Sequence, residues 1–247
     1  MSSLWDAILK VTRVNGDPLK NWEEHNANLA EKTNKLNDLH IKTLTYKSSN
    51  GTDLTIGLVN DYIFEGGTSF TPEGVEFDAN MPTEEIFTMP HKDQINGTVY
   101  ATKPLFVYGV VIENFGFIFK DGHITEILCD NEEHKKVLQK LTSVDAGASS
   151  LGEVALVPNS SPINKTGILF FNTLYDENAS CHIALGDCYK TNMKNSESYS
   201  DKEMSEKGAN SSLIHIDFMI GNETTEVIGL NQNNEEILIL KDGEFVL

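Results

Sequence analysis

Residues 212–220 read SLIHIDFMI, an apolar run that contains His215 and Asp217. Successive side chains of a β-strand point to opposite faces, so His215 and Asp217 share one face. The other face carries only apolar side chains: Ile214, Ile216 and Phe218. Two side chains able to bind a metal therefore project together from a strand whose opposite side is predicted to be buried. The same spacing also suits a purely structural hydrogen bond between them.

The pattern around this stretch predicts the fold class. Helical periodicity dominates the first forty residues, at 4–13 and 19–39, and from residue 41 the chain alternates between polar and apolar residues or is continuously apolar. We therefore predict an α+β fold with a mostly antiparallel sheet and flanking helices. The helical segment 1–40 is predicted to pack on a domain that spans 41–247.

Several local structures are predicted within that domain. A strand is expected at 107–112, and Lys120-Asp121-Gly122 has the composition of a hairpin turn. Asp130 precedes an amphipathic helix over 131–141. A short helix is expected at 167–175, and the polar stretch 190–210 is expected to be a loop.

Net charge limits the classes of partner. The chain has 247 residues, with 37 acidic and 19 basic ones, for a net charge of −18. Binding of nucleic acid needs clustered Lys and Arg, so we expect no nucleic-acid partner. An acidic protein can attract cationic ligands, such as the amino terminus of a peptide, although a generic solvated surface is the more ordinary explanation of the charge.

The sequence also predicts a location. It contains no apolar stretch long enough for a membrane helix, and its N-terminus lacks the features of a signal peptide. The three cysteines, Cys129, Cys181 and Cys188, fit reduced thiols better than a disulfide framework. We therefore expect a cytoplasmic protein with no membrane partner.

Three further segments place ionisable residues in apolar surroundings. Glu84 and Glu85 lie in NMPTEEIFTMP (80–90), Glu153 in LGEVALVP (151–158), and His182 in CHIALGDCY (181–189). A buried carboxylate or imidazole is costly unless it is paired or bound to metal. Together with residues 215 and 217, these side chains suffice for two divalent ions that share a bridging carboxylate.

Each of these residues also has a simpler interpretation. Glu153 suits the exposed end of a strand, His182 a hydrogen-bonded core histidine, and Glu84-Glu85 a solvated loop. A zinc site at Cys181 and Cys188 is disfavoured because the chain contains no CxxC motif. Neither GxGxxG nor GxxxxGK[ST] is present, so no phosphate-binding loop is expected.

The same segments, taken in order, resemble the M29 family of metallo-aminopeptidases. The resemblance rests on GTDLTIGL (51–58), NMPTEEIFTMP (80–90), LGEVALVP (151–158), HIALGDCY (182–189) and SSLIHIDFMIG (211–221), and it extends to Leu4-Trp5 and WEEH (22–25). It covers nearly the whole chain. It implies two divalent metal ions, which could be Zn, Co, Mn or Mg.

The resemblance also implies roles for individual residues. The metal ligands would be Glu85, Glu153, His182, His215 and Asp217, with Tyr189 at the metal or at the oxyanion of the reaction. Glu85 is chosen over Glu84 because it directly precedes the apolar Ile86-Phe87. Glu84 is then the candidate general base.

The activity implied is the release of N-terminal residues from peptides by a metal-activated water, in a homodimer. Family members carry a further N-terminal domain ahead of the Leu4-Trp5 helix, and this chain begins almost at that helix, which implies a catalytic domain alone. Two alternatives stay open. One is a catalytically silent domain that serves oligomerisation, and the other is a two-metal amidohydrolase acting on non-peptide amides.

Overall fold

A computed structural model describes residues 2–247 of the chain, with side chains from residue 4 onward. Its α-helices are α1 (Ser2–Val11), α2 (Pro18–Asp38), α3 (Glu132–Leu141), α4 (Pro162–Thr166), α5 (Thr173–Glu177) and α6 (Asp201–Glu206). Short 3₁₀ helices occupy Gly147–Ser149, Lys190–Asn192 and Ser196–Ser198. The first two α-helices lie close to the positions predicted at 4–13 and 19–39.

Strands make up most of the remaining regular structure. The first eight are β1 (Ile41–Lys47), β2 (Asp53–Leu58), β3 (Thr68–Phe70), β4 (Glu76–Asp78), β5 (Ile86–Thr88), β6 (Pro90–Tyr100), β7 (Leu105–Val107) and β8 (Val110–Ile112). The others are β9 (Phe115–Lys120), β10 (His123–Cys129), β11 (Leu151–Leu156), β12 (His182–Gly186), β13 (His215–Met219), β14 (Glu226–Asn231), β15 (Glu236–Lys241) and β16 (Glu244–Phe245).

These strands form one large and one smaller antiparallel sheet, which confirms the predicted α+β class. The large sheet has the order β10-β9-β6-β2-β1-β14-β15-β16, and the smaller one has the order β13-β12-β11-β5. Two separate hairpins, β3-β4 and β7-β8, complete the strands. Each strand pair is antiparallel, so short connections suffice to join neighbouring strands.

The core lies between the two sheets. Phe218 of β13 packs its ring 5.5 Å from the rings of both Phe115 and Phe117 in β9. All three side chains are fully buried. The apolar face of the smaller sheet is thus covered by the larger one, which leaves the opposite face of the smaller sheet free to carry polar side chains.

Helix α2 packs on this core through the apolar residues of one of its faces. Asp17 caps its first turn by accepting a hydrogen bond from the Lys20 amide, and Pro18 occupies the first helical position. Leu29 and Leu36 are buried in the same apolar cluster as the strands of the large sheet. The remaining helix surface is polar, as the low density of apolar residues in the sequence predicts.

Hairpin turns follow the local sequence chemistry. Asp121 and Gly122 have φ of 49° and 90° and join β9 to β10, which confirms the predicted turn. The single strand predicted at 107–112 is instead a hairpin. Tyr108 and Gly109, with φ of 52° and 78°, form its turn, a conformation that only glycine adopts without strain.

Two other local predictions were wrong. The helix expected at 167–175 is displaced, because Gly167 ends α4 in a left-handed conformation and the Asp176 carboxylate accepts hydrogen bonds from the amides of Phe170 and Asn172. The loop expected at 190–210 contains α6, which begins at a capping box. In that box the Ser200 hydroxyl accepts from the Glu203 amide and the Glu203 carboxylate accepts from the Ser200 amide.

Among the helices of residues 2–247, none has both the length and the apolar character required to cross a bilayer.

Candidate metal centre

The strand register places the predicted ligands on one face of the smaller sheet. Glu153 in β11 lies opposite Ala184 in β12, and Ala184 lies opposite Asp217 in β13. Residues directly opposite one another in an antiparallel pair point to the same face, as do residues two apart along a strand. His182 therefore shares this face with Glu153, and His215 shares it with Asp217.

Strand β5 extends the same face to Glu85. Ala155 of β11 pairs with Phe87, and Glu85 precedes Phe87 by two residues. The alanines at 155 and 184 lie between the ionisable side chains and are too small to separate them. The sheet thus brings together all five residues that the resemblance implies as ligands.

These five side chains form two groups that share one carboxylate. His182 Nε2 lies 3.0 Å from Glu85 Oε2 and 3.3 Å from Glu153 Oε1. On the other side, His215 Nε2 lies 3.6 Å from Glu153 Oε2 and 3.5 Å from Asp217 Oδ1. Within each group the ligand atoms lie within 4.8 Å of one another. Glu153 faces one group with each of its oxygens.

The histidine tautomers follow from their second nitrogens. His215 Nδ1 lies 2.8 Å from the Asp187 carbonyl oxygen, and His182 Nδ1 lies 3.3 Å from the Ser180 carbonyl oxygen. A carbonyl only accepts, so each Nδ1 donates, and each Nε2 is left to face the carboxylates as a proton donor or as a metal ligand. A proton on each Nε2 or a bound cation satisfies these converging groups. The donor set therefore fits one divalent ion in each group.

Burial increases the cost of leaving these carboxylates without a compensating positive charge. Burial raises the pKa of Glu153 to about 7, and the neighbouring carboxylates of Asp217 and Glu85 act in the same direction. For His182, burial opposes the charged form, but the Glu153 and Glu85 carboxylates outweigh it and raise the pKa well above its ordinary value. For His215 the same competition, with Asp217 as the main partner, raises the pKa to about 9. Buried negative charge at this site is balanced by protons, and metal ions can replace them.

Tyr189 stands at the edge of this group. Its ring makes edge-to-face contacts with Phe87, at 5.7 Å between centroids, and with His215, at 5.0 Å. The side chain is half exposed, and it lines the same cavity as the metal-ligand candidates. Burial and the nearby carboxylates, Glu153 first among them, raise the pKa of Tyr189 to about 12. The phenol is thus a hydrogen-bond donor beside the two groups.

The structure does not bring Glu84 into this site. Its buried carboxylate forms an ion pair with the partly buried Arg13, whose Nη2 donates to Glu84 Oε2 at 2.9 Å and whose Nη1 contacts Oε1. Successive residues of the extended segment point to opposite sides, so Glu84 turns away when Glu85 faces the histidines. This placement leaves the carboxylate of the predicted general base outside the cavity.

The cavity above the sheet has a volume of about 680 Å³. It contains two carboxylates that the sequence analysis missed, Glu65 and Glu177, the latter at the end of α5. Burial, followed by the charges of Glu85 and Asp217, raises the pKa of Glu177 to about 9. In the sequence, Glu177 is marked as a site residue only by its position five residues before His182. The charged pair Asp176-Glu177 otherwise looks like the exposed surface of a helix.

Comparison with known proteins identifies the family. Residues 1–245 match the thermophilic metalloprotease family M29. The chain belongs to that family. This M29 chain is 43% identical over 246 residues to aminopeptidase 2 of Geobacillus stearothermophilus, and 44% identical over 243 residues to aminopeptidase AmpS of Bacillus subtilis. It spans 59% and 58% of the lengths of these two relatives.

Solved structures agree with this assignment. Wild-type AmpT of Thermus thermophilus superposes on the M29 chain with a TM-score of 0.90 at 39% identity, over 99% of this chain and 58% of that one. The 2,5-dihydroxypyridine dioxygenase of Pseudomonas putida KT2440 gives a TM-score of 0.62 at 13% identity, a likeness of fold alone. M29 membership implies a divalent metal, in agreement with the donor set above.

Proposed function

We propose that this chain is the catalytic part of a metal-dependent aminopeptidase, which releases N-terminal residues from peptides. One observation carries the proposal: two groups of three ligand candidates share Glu153, in a chain whose relatives bear the name aminopeptidase. A carboxylate that faces two groups is the arrangement expected of a pair of divalent ions acting on one substrate.

The proposed ligands follow from the two groups. Glu85, Glu153 and His182 hold the first ion, and Glu153, His215 and Asp217 hold the second. Glu177 faces the same cavity and is proposed as a further oxygen ligand. Mixed nitrogen and oxygen donors accept Zn, Co, Mn or Mg, and Zn usually binds more tightly than Co or Mn. When bound, such a pair supplies an activated water and polarises the scissile carbonyl.

The residues of the chain have separate tasks in this reaction. Tyr189 donates a hydrogen bond to the carbonyl oxygen as negative charge develops on it. The carboxylates that line the cavity accept the proton of the attacking water and return it to the leaving amine. Glu84 has neither task, because its carboxylate is engaged by Arg13. Phe87 and Tyr189 form an aromatic wall beside the reacting bond.

Metal content and hydrolysis of leucine p-nitroanilide test the proposal together. Dialysed protein reconstituted with Zn or Co is expected to hold about two ions per chain and to release nitroaniline only with metal. Glu153→Gln removes the bridging charge and is expected to abolish both. Glu126→Gln, at an exposed position of β10, is the matched control and is expected to change neither.

The two alternative functions predict other outcomes of the same assay. A silent domain that serves oligomerisation would bind metal without turning over any aminoacyl amide. An amidohydrolase of non-peptide amides would cleave N-acylated substrates and leave free aminoacyl anilides intact. Hydrolysis restricted to substrates with a free amino group supports the aminopeptidase.

We further propose that the protein is a cytoplasmic homodimer that binds neither nucleic acid nor membranes. The three cysteines are unpaired, as expected of a reducing compartment, and the net charge of −18 opposes binding to phosphate backbones. Light scattering of the purified chain is expected to give twice its mass of 27.4 kDa. A monomer at micromolar concentration would contradict the dimer.

A further inference from the structure

One wall of the cavity carries a carboxylate that belongs to neither metal group. Glu65 lies directly opposite Phe87, and each residue donates its amide to the carbonyl of the other at 2.9 Å. Residues opposite one another in such a pair point to the same face. Glu65 therefore faces the cavity beside Phe87, on the side that also carries Glu85.

The Glu65 carboxylate is held by one oxygen only. Its Oε2 accepts hydrogen bonds from the Thr191 hydroxyl at 2.7 Å and from Asn192 Nδ2 at 3.0 Å. Both donors lie in the 3₁₀ helix Lys190–Asn192, which directly follows Tyr189. Across the described side chains, from residue 4 onward, none donates to Oε1. The carboxylate is thus oriented in advance, with one oxygen left for a ligand.

Among the described side chains, from residue 4 to 247, no cation neutralises this carboxylate. The cavity lining includes neither lysine nor arginine, and Glu65 takes part in none of the ion pairs formed among side chains 4–247. The carboxylates of the two metal groups have histidines and the proposed ions as partners. Glu65 has only neutral donors, so the cavity offers an unpaired negative charge next to the reaction centre.

The backbone brings Glu65 close to Glu85. The segment that follows it runs against the backbone of Glu85, because a Cβ placed on Gly66 would lie 2.7 Å from the Glu85 carbonyl oxygen. Diagonal neighbours in an antiparallel pair have Cα atoms about 7–8 Å apart, which places Glu65 at that distance from Glu85. Glu65 thus lies on the same face as the first metal group, within reach of a ligand bound there.

We propose that Glu65 determines specificity by binding a cationic group of the substrate's first residue. The group is either the α-ammonium or the side chain of arginine or lysine, both of which offer N–H donors with positive charge. The proposal rests on the proposed aminopeptidase function and names the recognition that this function requires. The free Oε1 accepts from the cation, and Thr191 and Asn192 hold the carboxylate in place.

Binding measurements test this assignment without requiring turnover. Calorimetry on the Zn-loaded chain would compare arginine amide, leucine amide and N-acetyl-arginine amide. Glu65→Gln retains the shape of the side chain and an acceptor for Thr191. Loss of one charge-assisted hydrogen bond is expected to lower the affinity for arginine amide by at least about tenfold. Glu76→Gln, an exposed position in the neighbouring β3-β4 hairpin, is the matched control and is expected to change nothing.

The three ligands distinguish the two sources of positive charge. If Glu65 binds the α-ammonium, Glu65→Gln lowers the affinity for arginine amide and for leucine amide alike. The affinity for N-acetyl-arginine amide is then unchanged. If Glu65 binds the arginine side chain, the variant lowers the affinity for both arginine ligands and leaves the affinity for leucine amide unchanged. Unchanged affinity for all three ligands would overturn the proposal, as would loss of a metal ion from Glu65→Gln, which would make Glu65 a ligand.

The same variant separates this proposal from the proposed function. If the wild-type chain binds arginine amide through Glu65 but hydrolyses no anilide, the proposed role of Glu65 stands and the proposed aminopeptidase activity is refuted. A chain that hydrolyses leucine and arginine anilides with an unchanged ratio and unchanged rates in Glu65→Gln would keep the enzyme and refute the subsite.

Discussion

At the scale of single residues, Glu153 and the two histidines differ in how many of the candidate metal groups they belong to. Glu153 presents one oxygen to each group, whereas His182 and His215 each belong to one group only. Replacing a residue that binds one ion lowers chiefly the affinity for that ion, whereas replacing the residue that bridges both groups lowers the affinity for both ions. The number of ions lost by a variant therefore reports the arrangement directly.

We accordingly expect His215→Ala to retain about one ion per chain and Glu153→Gln to retain none. Metal analysis after dialysis against a weak chelator measures both numbers, with His123→Ala at an exposed position of β10 as the control. Equal loss in the histidine and the glutamate variants would show that the groups do not share a bridging residue.

The buried Glu84 and the partly buried Arg13 form an ion pair whose role we expect to be structural. Glu84 is 6% exposed and Arg13 17%. Removing the arginine leaves a buried carboxylate without its partner, so Arg13→Ala is expected to lower the free energy of unfolding by about 3 kcal/mol. Lys35→Ala, which removes a surface pair with Glu31, is expected to cost less than about 1 kcal/mol.

Urea denaturation of the two variants tests this difference, and Glu84→Gln adds a catalytic test. With Glu84 outside the cavity, Glu84→Gln is expected to keep its metal and most of its hydrolysis. A loss of hydrolysis by several orders of magnitude at full metal content would restore Glu84 as the general base.

At the scale of structural elements, the chain after Glu65 packs closely on the segment before β5 and so helps to position Glu85, a proposed ligand. Gly66 packs so closely on this segment that a Cβ would lie 2.7 Å from the Glu85 carbonyl oxygen. Atoms this close must move apart, and the backbone of Glu85 is what a methyl group at position 66 would push.

Gly66→Ala is therefore expected to weaken metal binding by about tenfold or more, since ligand geometry tolerates little displacement. Gly16→Ala is the control, because Gly16 has φ of 80° with open space around it. It is expected to cost stability through backbone strain without changing metal affinity. Competition with a fluorescent zinc chelator measures both affinities, and similar values for the two variants would contradict the role of Gly66.

At the scale of the whole molecule, metal binding and folding are expected to be coupled. The proposed ligands come from β11, β12, β13 and the segment before β5, so the candidate site exists only when the smaller sheet is formed. An ion that binds only the folded state stabilises it by about 2.7 kcal/mol at a hundred times its dissociation constant. Removal of metal with a chelator should lower the melting temperature by several degrees, and an unchanged melting temperature would contradict this coupling.

We also propose that residues 1–40 form a helical segment packed on the catalytic domain 41–247 and are not a unit of their own. Leu29 and Leu36 belong to the cluster that fills the large sheet, and Trp22 is buried as well. A chain lacking residues 1–40 is expected to expose this surface and to lose cooperative unfolding in circular dichroism. Sharp, two-state melting of 41–247 would show that the domain is complete without them.

Local sequence determined the features that depend on neighbours along the chain. The α+β class follows from the change of periodicity near residue 41, and the turn at Asp121-Gly122 follows from its own backbone preferences. The common face of His215 and Asp217 follows from alternation in one strand. The ordered motifs were sufficient to indicate the M29 family, which the comparisons confirm.

Tertiary structure alone decided which of these side chains meet. Arg13 and Glu84 are far apart in sequence, and only the folded chain shows that their pairing removes Glu84 from the cavity. Glu177 enters the cavity because a short helix ends beside the sheet, and Glu65 enters it because it pairs with Phe87 across 22 residues. Strand pairing and helix placement depend on long-range contacts, which no local pattern of polar and apolar residues specifies.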